Sequence, residues 1–177
     1  NNSGLSLLDV GCSTGQLLRY LKLKKVIVDY LGVDISEDSI QRAQEIHKEN
    51  CFKKITTQNL ATQLNGKNYD MIYSRDVVVH QLEPYKFMQN LINLTKDTLI
   101  LRLRTRDLGS TIYDPERACQ LAPGEKWTPI MILNYDELID FFKGLSIVKK
   151  VVTNRSYFIL GGQNFMFLDK DLYLKKT

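Results

Sequence analysis

The segment Leu7-Leu8-Asp9-Val10-Gly11-Cys12-Ser13-Thr14-Gly15 constrains the fold of this chain more than any other. An apolar run from Leu5 to Val10 reads as a buried strand and gives way to a turn punctuated by Gly11 and Gly15. Behind it Leu17, Leu18 and Leu21 recur at helical spacing, which predicts a helix over Gln16–Leu23. A second short strand, Tyr30–Val33, follows and is closed by Asp34. Strand, glycine turn, helix and strand in that order predict a parallel α/β sheet.

The same alternation continues along the chain. Ser36 is placed to cap a helix over Glu37–Asn50, with Glu37 and Asp38 in its acidic first turn. Ile40, Ala43 and either Ile46 or His47 lie along one face of it, and His47 is expected to be solvated. Further strands are predicted over Phe52–Thr57, Tyr69–Tyr73 and Thr98–Leu103, with a helix over Pro84–Leu94 that has proline in its first turn. A last helix over Asn134–Lys143 carries Asn134 as cap, Glu137 three residues on, and Gly144 as terminator. Two final strands, Ile147–Thr153 and Asn164–Leu168, are expected to form an antiparallel hairpin. The expected architecture is a Rossmann-like, doubly wound, seven-stranded sheet, mostly parallel, with helices on both faces, in a single domain spanning 1–177.

Ligands of such sheets bind at the carboxyl ends of the strands, where the strand order reverses. A dinucleotide loop wants GxGxxG so that its glycines clear room for a pyrophosphate. Here Ser13 stands at the second of those glycines, and Asp9, just before the loop, repels a pyrophosphate and attracts a cation such as an amino group. An acid at the end of the next strand, Asp34, can accept from both hydroxyls of a ribose. A loop that is acidic first and glycine-rich after suits S-adenosylmethionine better than a nicotinamide dinucleotide.

At these residues the chain resembles the class I S-adenosylmethionine-dependent methyltransferases. Leu8-Asp9-Val10-Gly11-Cys12-Ser13-Thr14-Gly15 is similar to that family's first motif, and Tyr30-Leu31-Gly32-Val33-Asp34-Ile35-Ser36 to its second strand and ribose-binding acid. Tyr69-Asp70-Met71-Ile72-Tyr73-Ser74-Arg75-Asp76, followed by Val79-His80, is similar to its fourth strand and the loop beyond. The resemblance implies a site for S-adenosylmethionine made by Asp9, Gly11, Cys12, Ser13, Gly15, Asp34, Ile35, Asn59, Leu60 and Ser74. The chain departs from the pattern at Ser13, where the family often has glycine, and at Asn59, where it often has an acid for the adenine amino group. An amide oxygen can accept the same hydrogen bond. The helix usual before the first strand is missing, so the chain is expected to be a fragment whose cofactor is covered by the rest of a longer chain or by a partner.

In a direct displacement on an activated methyl group, the residues beyond the fourth strand are the ones to examine. His80 is the first candidate for a base and Asp76 the second. Arg102, Arg104 and Arg106 alternate with Leu101, Leu103 and Thr105, so on one strand they would share a face. That face would hold either ion pairs with Asp76, Asp107 or helix acids, or an anionic group of the substrate. Arg75, Arg104, Arg106, Tyr113 and Trp127 are the candidate acceptor-binding residues. The last two fall in the stretch Thr105–Leu133, which holds three of the four prolines and the only Trp and shows no clear period. It is expected to be an insert shaping the acceptor site.

Composition removes several alternatives. A net charge of +4 is too mild to point to nucleic acid. No apolar run approaches the roughly 20 residues of a membrane span, and no secretory signal opens the chain, so neither a membrane nor a nucleic-acid partner is expected. Cys12, Cys51 and Cys119 form no CxxC pair, which indicates neither a metal site nor a disulfide framework and makes the cytoplasm the default setting. An Asn/Asp-Pro-Pro-Tyr motif, a Pro-Cys nucleophile and the Asp-Asn pair of magnesium-dependent enzymes are all absent. The expected function is methyl transfer to oxygen or nitrogen of a small molecule. A non-catalytic, methyltransferase-like binding module and a nicotinamide-dependent oxidoreductase are the alternatives.

Overall fold

A computed structural model of the chain describes residues 4–122 and 126–154. Strand β1 (Ser6–Val10) is buried at every position, as the central strand of a parallel sheet must be. It pairs in parallel with β2 (Asp29–Asp34) on one side and with β4 (Tyr69–Arg75) on the other. Beyond these lie β3 (Phe52–Lys54) and β5 (Thr95–Arg102), giving one parallel sheet in the order β3-β2-β1-β4-β5. The chain builds outward from β1 to β3, then crosses to β4 and builds the other way. With right-handed crossovers this reversal puts helices on both faces of the sheet.

On one face α1 (Gln16–Leu23) and α2 (Glu37–His47) cover a cluster of Leu7, Cys12, Leu18, Tyr30, Ile40, Ala43 and Phe52. Ser36 caps α2 as predicted, its Oγ accepting from Ser39 N at 3.2 Å. Helix α4 (Pro84–Leu94) has the predicted bounds and buries Phe87, Met88, Leu91 and Ile92. Side chains of this size each stabilise the fold by roughly 1.5–3 kcal/mol when fully buried. The strand expected over Phe52–Thr57 stops at Lys54. A 3₁₀ turn (Thr57–Asn59) and a short helix α3 (Leu60–Gln63) follow it, and neither is visible in the periodicity.

The chain divides into two compact units. The first holds the sheet and comprises residues up to Val78 together with Tyr85–Leu103; the second comprises Val79–Pro84 and the chain from Arg104 onward. Within the second unit, β6 (Thr105–Arg106) pairs in parallel with β9 (Leu133–Asn134), and β7 (Cys119–Ala122) pairs with β8 (Lys126–Pro129) in an antiparallel ribbon. The stretch Thr105–Leu133 therefore has secondary structure of its own. Its strands, two to four residues long, are too short to show a period. Helix α5 (Tyr135–Lys143) is capped by Asn134, whose Oδ1 accepts from Glu137 N at 3.0 Å, and is closed by Gly144. Thr111 Oγ1 accepts from Asn134 N at 2.8 Å, and Gly109 O accepts from Asn134 Nδ2 at 2.9 Å, so the cap also anchors the preceding loop.

Two expectations need correction. Ile147–Thr153 forms no strand, and its supposed partner Asn164–Leu168 lies outside the described residues, so the described parallel sheet has five strands. Arg102, Arg104 and Arg106 do not share one strand face. Strand β5 ends at Arg102, and Arg104 falls in the break before β6.

Candidate functional site

The reversal of strand order falls between β1 and β4, the place where sheets of this kind bind their ligands. The loop after β1 is held from its second-strand side: Gly11 N and Cys12 N both donate to Val33 O, at 2.8 and 3.0 Å. Gly15 N donates to Cys12 O at 2.9 Å and closes the turn. Gly11, Ser13 and Gly15 all have positive φ, at 79°, 49° and 78°. A Cβ on Gly11 would stand 2.2 Å from Cγ2 of Val77. One on Gly15 would stand 2.6 Å from His47 Nε2 and 2.7 Å from Phe52 Cζ. The close approach that Gly15 permits is thus made by the protein's own side chains. Ser13 adopts the left-handed conformation that favours glycine, at a cost of about 1–2 kcal/mol; its N–H offsets part of this by donating to Asp34 Oδ2 at 2.9 Å.

Asp34 is the centre of the arrangement. While Oδ2 accepts from Ser13 N, Oδ1 accepts from Ser36 N at 2.9 Å. The carboxylate is thereby locked in orientation, half-buried, by two backbone donors from two loops. A carboxylate offers about four lone-pair sites, so each oxygen retains capacity for one more donor. Two such acceptors suit a vicinal diol. Ile35, next in the chain, leaves 61% of its surface exposed and presents an apolar face beside that carboxylate.

Asp9 lies on β1 with 3% of its surface exposed, and its Oδ2 accepts from Tyr30 Oη at 2.6 Å. Burial pushes its carboxyl up to about 6; the Tyr30 hydrogen bond opposes this and the charge of Asp34 adds to it. In an unfolded chain the group titrates near 3.8. The folded state therefore holds the proton more tightly, so the contribution of Asp9 to stability is greatest below about 3.8 and is lost as pH rises through about 6. A shift of that size corresponds to about 3 kcal/mol. Asp9→Asn keeps an acceptor for Tyr30 and removes the buried charge. It is expected to raise the melting temperature at pH 7.5 and to flatten the pH dependence of stability between pH 4 and 6. Thermal melts of both proteins across that range check this; parallel curves would refute it.

The other candidate residues divide clearly. Cys12 turns its side chain into the core, where burial first and the carboxylates of Asp9 and Asp34 second push its thiol up, so it can serve a ligand only through its backbone. Ser74, at the end of β4, is fully buried and its Oγ has no hydrogen-bond partner among the described residues. Asn59 is exposed at the end of the 3₁₀ turn, whereas the side chain of Leu60 is buried in the core. Asp76 has φ 57°, and its Oδ2 is paired with Arg102 Nη1 at 3.2 Å and Arg75 Nε at 3.5 Å. A non-glycine residue held in that region costs of order 1–3 kcal/mol and is often found where a loop serves a site.

Within the second unit, His80 is exposed and its Nδ1 lies 2.9 Å from Pro129 O. A carbonyl only accepts, so Nδ1 carries the proton and the neutral ring keeps a lone pair on Nε2. Arg106 Nε donates to Leu108 O at 2.6 Å, and its guanidinium lies under Gly109, so the side chain supports this loop. Arg104 and Trp127 are half-buried, and Tyr113 is 49% exposed. His47 is not solvated as expected: it is half-buried, lies 3.2 Å from Thr14 O and packs on Phe52. Its spacing from Ile40 and Ala43 had placed it on the buried face of α2; Ile46, the alternative, is 50% exposed.

A methyltransferase-domain family model matches residues 1–159. The chain belongs to this methyltransferase-domain family. Its fold is that of the class I S-adenosylmethionine-dependent enzymes. Among curated proteins, the methyltransferase domain is 28% identical to a ubiquinone biosynthesis O-methyltransferase of Glaesserella parasuis, over 62% of this chain and 49% of that protein. The chain therefore spans about half the length of this relative. Among solved structures it is similar to a plantazolicin methyltransferase, BamL, crystallised with a triazolic desmethylPZN analogue and S-adenosylhomocysteine. The TM-score is 0.50 at 27% identity, over 57% of this chain and 39% of that one. It also shares the fold of a magnesium protoporphyrin IX methyltransferase from Synechocystis, with a TM-score of 0.57 at 23% identity, over 81% of this chain and 64% of that one. Among the described residues, no helix of the methyltransferase domain is long and apolar enough to cross a membrane.

Proposed function

We propose that this chain binds S-adenosylmethionine and transfers its methyl group to an oxygen or nitrogen of a small-molecule acceptor. The observation that carries the reading is the carboxylate of Asp34, fixed by Ser13 N and Ser36 N with one acceptor site left on each oxygen. This suits the two ribose hydroxyls of the cofactor. Ile35 would lie against the adenine, and Asn59 would accept from its amino group through the amide oxygen. The buried, unpartnered Oγ of Ser74 and the buried acid Asp9 fit the polar and cationic amino-acid end. A solved relative carrying S-adenosylhomocysteine and a curated relative named an O-methyltransferase support the same reading.

When bound, the cofactor supplies a methyl group already activated by a sulfonium. The protein's task is then alignment, and positioning of this kind can lower a barrier by roughly 7–11 kcal/mol. A hydroxyl acceptor calls for a base, and His80, whose Nδ1 donates to Pro129 O and so leaves Nε2 as the acceptor, is the first candidate. Asp76 is the second candidate, but Arg102 and Arg75 already engage its carboxylate.

Calorimetric titration with S-adenosylhomocysteine, with NAD as the control, tests the proposal. Saturation at about 100 times the dissociation constant is expected to add about 2.7 kcal/mol of stability, visible as a raised melting temperature, while NAD adds none. Binding of NAD, or of neither ligand, would overturn the reading for this chain.

A further inference from the structure

Four contacts beneath the glycine loop connect its two ends. At one end Asp9 Oδ2 accepts from Tyr30 Oη at 2.6 Å. The Tyr30 ring meets Phe52 edge-on, with centroids 5.8 Å apart and planes at 67°. Phe52 in turn packs on His47, with centroids 5.3 Å apart and planes at 36°. Both separations lie in the range of favourable ring pairs. At the far end His47 Nε2 lies 3.2 Å from Thr14 O. The three rings come from three elements: Tyr30 from β2, Phe52 from β3 and His47 from the last residue of α2.

We propose that Tyr30, Phe52 and His47 form an aromatic brace that holds the loop from Asp9 to Gly15 in its binding geometry, with His47 as a positioning residue. The brace also explains Gly15, whose missing Cβ leaves the space that His47 and Phe52 fill. Thr14 O can only accept, so Nε2 of His47 is the donor. The ring thus pins the last turn of the loop through one directed bond and one packed face. None of the three residues has to touch the cofactor to act. Any effect on binding passes through the loop amides of Ser13 and Gly15, whose partners are Asp34 and Cys12.

The test compares wild type, His47→Leu and His47→Gln in the full chain. Glutamine places an N–H donor at nearly the reach of Nε2; leucine does not. The first readout needs no ligand: hydrogen exchange of the Ser13 and Gly15 amides against those of Leu8 and Ile72 in the sheet. Loss of one hydrogen bond of ordinary strength corresponds to about fivefold. His47→Leu is expected to speed loop exchange by about that factor while the sheet amides hold within twofold, and His47→Gln, which keeps the directed bond to Thr14 O but not the packed face on Phe52, is expected to fall between the two. The second readout rests on the proposed cofactor: affinity for S-adenosylhomocysteine should fall about fivefold in His47→Leu and recover in part in His47→Gln. Loop exchange unchanged in His47→Leu, or sheet amides accelerated as much as the loop amides, overturns the brace. If the wild type binds no S-adenosylhomocysteine, the cofactor reading fails and the exchange readout still decides on the brace.

Discussion

Asp34→Ala is expected to weaken binding of S-adenosylhomocysteine by at least about 100-fold. Two hydroxyls donating to one carboxylate are hydrogen bonds to a charged group, each worth about 1.5–3 kcal/mol, so their joint loss exceeds the roughly 2.7 kcal/mol that a factor of 100 represents. The substitution also strips the partners of Ser13 N and Ser36 N. Ser13 then holds its left-handed φ of 49° with nothing to offset it, and the loop relaxes from the geometry a ligand requires. Asp34→Asn is less severe but not neutral, because its amide NH₂ would face one of those two N–H donors. Calorimetry on the three proteins measures the effect. Affinity within threefold of wild type in Asp34→Ala would remove the residue from the site.

The parts of this site legible in the sequence are those set by local chemistry. Gly11, Gly15 and Asp34 announce themselves because a strand leading into a tight turn, and an acid ending the next strand, are contiguous signals. Caps such as Ser36 and Asn134 are equally local, and both act as expected. What the sequence concealed depends on pairing across elements. His47 lies 32 residues past Gly15, and only the parallel register of β2 with β3 brings its helix under the loop. The alternating arginines looked like one strand face; a break after Arg102, which no periodicity marks, separates them. The short strands between Thr105 and Leu133 were unreadable for a related reason: two to four residues are fewer than a period-2 pattern needs. Pairing of the arginines, by contrast, was one of two expectations, because charges near the core require partners, and Arg102 does meet Asp76.

Gly15→Ala is expected to lower the melting temperature by about 10 °C, far more than the same change at Gly66. Both glycines have positive φ, 78° and 65°, so the backbone term is shared and amounts to about 1–2 kcal/mol. They differ in what surrounds the added methyl. At Gly66 nothing lies within 4 Å, whereas at Gly15 the methyl meets His47 and Phe52 at 2.6 and 2.7 Å. Phe52 is 2% exposed and cannot swing away freely, so overpacking adds about 1–3 kcal/mol. For a chain of this size each kcal/mol moves the melting temperature by about 2–4 °C. Gly66→Ala should therefore fall only a few degrees. Melting curves of both variants separate backbone strain from packing. Adding His47→Ala to Gly15→Ala should recover part of the loss, because the nearest obstructing ring is gone. Equal destabilisation at the two glycines would mean that φ alone makes Gly15 necessary, and that the rings beneath the loop yield to a methyl group without resistance.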